Sequence, residues 1–142
     1  MNAEYTDKFL ATMRVAATDP TPDETKTVLY RLYDAIIKGD FDAVGEFLAD
    51  DVELNICGFP AIDGSWRGRD HVVAAAIRNF GHLENQQPKV EAMISHGDST
   101  AVLMCERGVL KSTKQAYSIR AVQWFTFQNG KVKKVDQIAA PI

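Results

Sequence analysis

The sequence predicts an α+β domain in which helices come first and an antiparallel sheet follows. Apolar residues recur at helical spacing to about residue 83 and alternate at period two after about residue 88. Short turn signals separate the alternating stretches, and helices followed by a meander of strands exclude a doubly wound parallel sheet. At 142 residues the chain suits one domain whose core needs neither metal nor disulfide support.

Residues 3–17 can form a helix with Phe9, Leu10 and Met13 on one side. Thr18-Asp19-Pro20-Thr21-Pro22 ends it, because two prolines so close oppose helix continuation. We read residues 1–22 as a helical extension and linker, packed on the domain at 23–142 or on a second subunit. The next helix runs to about Lys38, capped by Thr21 or Asp23, with Asp23 and Glu24 placed to favour its dipole. Leu29, Leu32, Tyr33, Ile36 and Ile37 form its apolar face. Gly39 is a natural terminator and Asp40 a natural cap for a helix over about 41–49, buried through Phe41, Val44, Phe47 and Leu48.

Asp50-Asp51 reads as a capping and turn device, and Val52 to Cys57 alternates as a half-buried strand. Gly58 to Gly68 reads as a loop with an exposed Trp66. Asp70 is expected to cap a third helix to about Leu83, with Val73, Ala76, Ile77 and Phe80 inward. Strands follow over about 88–96, 99–110, 115–128 and 131–139. The turns between them are Gly97-Asp98, Lys111 to Lys114 and Asn129-Gly130, a strong hairpin signal.

A net charge of −3 gives no electrostatic reason for nucleic acid or an anionic membrane as partner. Lys131, Lys133 and Lys134 read as a solvated strand face. The cysteines Cys57 and Cys105 have no paired spacing, and His71, His82 and His96 are too scattered for a ligand set. No metal or cofactor is therefore expected. The start of the chain does not read as a signal peptide, and no stretch reaches the ~18 apolar residues of a membrane span. A cytoplasmic protein with two free thiols is expected.

Four segments carry a resemblance. They are Leu32 to Asp40, Phe47 to Val52, Trp66-Arg67-Gly68-Arg69-Asp70, and Phe125 to Val132. In this order the chain resembles the NTF2-like superfamily of SnoaL-like and ketosteroid-isomerase-like domains across roughly residues 24–139. The resemblance implies a cone: three helices on a strongly curved, mainly antiparallel sheet, around one apolar pocket. It implies a small apolar ligand, of polyketide, steroid or terpenoid type, and cofactor-independent chemistry of isomerase, cyclase, dehydratase or hydrolase kind. Pure ligand binding and protein association are the alternatives within the same superfamily.

Neither of two well-known chemistries is intact. The ketosteroid isomerase positions for tyrosine, base and protonated aspartate fall here at Leu32, at Ile56 or Asn55, and at Gln123. The strand through Glu106-Arg107 resembles the arginine strand of limonene epoxide hydrolase. Gly108 or Val109 fills its aspartate position, and the C-terminal aspartate region reads Ile138-Ala139-Ala140.

Period two sends Tyr117, Ile119, Ala121, Gln123, Phe125 and Phe127 to one face of their strand. On the strand before it, Met104 and Glu106 share a face, and a one-residue bulge would substitute Arg107 for Glu106. A carboxyl among Met104, Leu110 and Phe125 would lose hydration and rise toward the acid/base range. Glu106, Gln123 and Tyr33 are therefore the candidate catalytic residues. Leu32, Ile56, Trp66, Met104, Tyr117, Phe125, Phe127 and Gln137 are expected to line the pocket. Alternatively, Glu106 pairs with Arg107, Arg120 or Lys111 outside it. Trp124, Val122 and Cys105 on the outer face predict a homodimer.

Overall fold

The computed structural model describes residues 7–11 and 22–142. Helical residues 7–11 (α1) precede α2 (Asp23–Lys38), α3 (Phe41–Glu46), β1 (Leu48–Cys57) and β2 (Gly64–Arg67). Then come α4 (Arg69–His82), β3 (Leu83–His96), β4 (Ser99–Leu110), β5 (Ala116–Gln128) and β6 (Lys131–Pro141). The rest of the helix expected over 3–17, and Thr21 as a cap, lie outside the described residues. The architecture is the expected α+β one: helices packed on a curved, open six-stranded sheet of order β2-β1-β6-β5-β4-β3.

Local chemistry explains most of the boundaries. Gly39 closes α2 in the left-handed conformation (φ 70°), which a side chain would disfavour, and its N–H reaches back to Ile36 O at 3.1 Å. Asp40 then accepts from Ala43 N at 3.2 Å and starts α3 within two residues. At the far end, Asn129 and Gly130 both have positive φ (53° and 74°), the pairing a tight β5–β6 hairpin needs.

Several boundaries differ from the sequence reading, and backbone pairing is the reason in each case. Helix α3 stops at Glu46 rather than near residue 49, because Leu48 pairs in parallel with Val132 and Val132 N donates to Phe47 O at 2.9 Å. Asp50 and Asp51 therefore lie inside β1, at a register shift between Leu48 and Glu53, and not in a turn. The segment read as a loop contains β2, an edge strand of four residues that pairs antiparallel with β1; four residues are too few for alternation to show. Gly68, not Asp70, occupies the cap position of α4, and Asp70 sits in the first turn. Asp23 is likewise the first residue of α2 and makes no side-chain cap.

The buried face of α4 is set by Val72 and Ala75, which leaves Ile77 half exposed (50%). Strand β3 starts at Leu83, paired with Leu110, five residues ahead of Pro88. Two register shifts follow, between Glu84 and Gln87 and between Val90 and Ala92, and Asn85 has positive φ (54°) at the first. Such irregularities bend a strand and increase its twist. The sheet curls, and its concave face meets the helices around a core that includes Leu29, Val52, Met93 and Val102. No helix among the described residues is long and apolar enough to cross a membrane.

Candidate functional site

The curved sheet and the helices do not pack to solidity; they leave a cavity of about 220 Å³. Its helical wall comes from Leu32, Tyr33, Ile36 and Ile37 of α2, with Val72, Ala76 and Phe80 of α4. The sheet side includes Ile56, Met104, Ile119, Ala121 and Phe125. Most of the surface is aliphatic or aromatic, so each polar group on it stands out.

Two polar clusters face this space. In the first, the Tyr33 hydroxyl donates to Gln123 Oε1, and Gln123 Nε2 donates to Gln137 Oε1 at 2.8 Å. The strands place the two glutamines opposite each other, since Gln123 and Gln137 are direct cross-strand partners. Burial pushes the Tyr33 phenol far above its ordinary value, so it acts as a neutral donor and not as a tyrosinate. Its ring is held edge-on by Phe9 at 5.6 Å and by Phe125 at 6.0 Å.

In the second cluster, the Tyr117 hydroxyl donates to Glu106 Oε2 at 2.6 Å, and Gln86 hydrogen-bonds the same carboxyl. Removal from water raises the Glu106 pKa above the usual carboxylate range, against the opposing pull of the Tyr117 and Gln86 bonds. Burial first, and the Glu106 carboxyl second, push the Tyr117 phenol up strongly. Gly108 makes this contact possible. A Cβ there would lie 2.5 Å from the Tyr117 hydroxyl, so only a glycine lets the ring cross the strand to Glu106.

Glu106, Gln123 and Tyr33 thus all line the cavity, as do Leu32, Ile56, Met104, Phe125 and Gln137. It is Glu106, and not Arg107, that the β4 register turns inward; Arg107 is exposed. Three expected liners lie elsewhere. Trp66 pairs across from Leu54 on the edge strand and packs beneath the Arg78 guanidinium, 5.4 Å from its ring centre. Phe127 follows a register shift at Thr126 and stacks on Phe125 at 6.3 Å, beyond the lining. The Tyr117 ring packs against Phe59 at 5.0 Å, and only its hydroxyl serves the site, through Glu106.

The sequence reading missed Phe9, Gln86 and Asn79 as lining residues. Pro88 held the signal for Gln86: a proline inside an apparent strand marks an edge or an irregularity. Asn79 accepts from Arg78 Nε at 3.4 Å. Among the described residues no three His, Cys, Asp or Glu side chains gather as a metal site would require.

Residues 29–135 match the SnoaL-like domain family, most of the chain. The chain belongs to that family. Several solved structures share the fold of the SnoaL-like chain. An NTF2-like protein of unknown function from Burkholderia pseudomallei K96243 superposes with a TM-score of 0.72 at 20% identity, covering 82% of this chain and 90% of that one. A candidate SnoaL-like polyketide cyclase from Jannaschia sp. CCS1 gives 0.73 at 17% identity, covering 85% and 88%. An LEH-like epoxide hydrolase of M. tuberculosis gives 0.66 at 16% identity, covering 82% of each chain. Likeness at such low identity establishes the fold alone. No curated protein sequence matches the chain.

Proposed function

We propose that this SnoaL-like protein binds a small, mostly apolar, oxygen-bearing molecule in its cavity. It acts there by cofactor-independent acid/base chemistry of the isomerase, cyclase, dehydratase or hydrolase type. One observation carries the reading: among the described lining residues Glu106 is the sole carboxyl and has no cationic side chain beside it. It is instead held by two neutral donors, Tyr117 and Gln86. A carboxyl whose pKa burial raises holds a proton more readily than an exposed one, and can deliver it to a substrate and take it back.

Tyr117 and Gln86 fix the carboxyl's orientation, and the neutral Tyr33–Gln123–Gln137 chain binds a substrate oxygen. The volume, below the ~300–1,000 Å³ of drug-sized sites, favours a ligand smaller than a four-ring steroid. Native mass spectrometry of the purified protein should reveal a small neutral molecule in the cavity. On a substrate identified that way, Glu106→Gln should lower kcat by about 10²- to 10⁴-fold. Unchanged turnover would sink the catalytic role and leave ligand binding as the function.

The reading extends to a cytoplasmic homodimer joined through the outer sheet face. The support there is exposed apolar area, with Trp124 47% and Ile138 65% accessible. Cys57 and Cys105 are unpaired, as a reducing compartment would keep them.

A further inference from the structure

The two polar clusters stand at opposite ends of the cavity floor. Glu106 pairs with Ile119, and Gln123 lies four residues further along the same strand. At about 3.3 Å per residue the two positions are about 13 Å apart. Met104 and Ala121, direct partners between them, make the middle of the floor apolar, and the alanine methyl leaves it open. At one end Gln123 is joined by Tyr33 and Gln137; at the other Glu106 is joined by Gln86 and the Tyr117 hydroxyl.

Positions so separated favour a ligand that carries two polar groups, one for each cluster, with an apolar body between them. The described lining residues include no Lys, Arg or His, so an anionic group at either end would find no counter-charge among them. Hydrocarbon surfaces between the ends leave a further polar group in the middle unpaired.

We infer that the cavity selects neutral, two-ended molecules: an apolar body with an oxygen function at each end, one anchored by Gln123 and Gln137, the other presented to Glu106. This rests on the proposed ligand-binding role and gives the clusters separate tasks. The neutral end supplies binding energy remote from the reacting atoms, and the acidic end supplies the proton.

A matched set of small phenyl compounds tests the inference by calorimetry or ligand-detected NMR. In 4-(2-hydroxyethyl)phenol an oxygen stands at each end of an apolar body; 4-ethylphenol and 2-phenylethanol each keep one of them. The two-ended compound should bind about three- to tenfold tighter than either analogue, the effect of one added hydrogen bond. Gln123→Leu should abolish that advantage, bringing the two-ended compound to the affinity of a one-ended analogue. Tyr33→Phe, a milder change, should reduce it. Equal affinity of all three compounds overturns the two-ended inference and leaves ligand binding standing. If none of the three binds, the ligand-binding proposal falls and takes the inference with it.

Discussion

The inner and outer faces of the same strands treat polar side chains in opposite ways. On β5 the inward residues Ile119, Ala121, Gln123 and Phe125 alternate with the outward residues Arg120, Val122 and Trp124. Each set contains both polar and apolar members, so hydropathy alone separates them poorly. Inside, the described polar groups bond to one another through neutral donors, Tyr33 to Gln123 to Gln137 and Tyr117 to Glu106. Outside, ion pairs such as Arg120–Glu91 at 3.4 Å and Lys134–Asp136 at 3.6 Å accompany exposed Trp124, Val122 and Ile138. Enclosure makes the difference. Where water is excluded, a charge without a partner is too costly and neutral donors take its place; where water remains, full charges cost little and gain little.

The sharpest way to break this contrast is to open the enclosed face. Phe9 is 1% exposed and sits against Tyr33, so Phe9→Ala should cost about 3–5 kcal/mol in denaturant unfolding. A loss below about 1 kcal/mol would mean that α1 does not close the inner side.

A pH series probes the same enclosure more gently. The pKa of Glu106 is raised on folding, so the folded state holds its proton to higher pH than the unfolded chain does. Its contribution to stability is complete below the ordinary carboxylate value of about 4.3 and is lost as pH climbs through the raised one. Relative to Glu106→Gln, the wild-type Tm should fall as pH rises across that window. Parallel Tm curves would place the carboxyl in water.

The smallest effect on the fold belongs outside. Trp124→Ser should change the intrinsic stability of one subunit by no more than about 0.5 kcal/mol. It should nonetheless lower the mass seen by light scattering, if two copies meet on this face. A wild-type monomer at tens of micromolar, about where a standard-sized interface is occupied, would remove the dimer from the proposal.

Element order and the inward set of β5 were legible in the sequence because both follow from periodicity that side chains impose locally. Gly39-Asp40 could be read for the same reason: each residue satisfies a backbone requirement within a few positions of itself. β2 could not, because its reason to exist is the free edge of β1. Trp66 and Phe127 were misplaced because an edge strand and a register shift change where a side chain points without changing its character. Glu106 was an open choice between registers; the unbroken β4–β5 pairing from Ser99 to Val109 resolves it.

Phe9 has a consequence for anyone shortening or comparing these proteins. The family match begins at residue 29, yet a cavity wall is contributed from ahead of it. A version trimmed to begin at residue 29 would keep every strand and lose the ring beside Tyr33. Relatives without an equivalent aromatic would offer a wider binding chamber on the same scaffold, so ligands found in them are poor guides to what fits here.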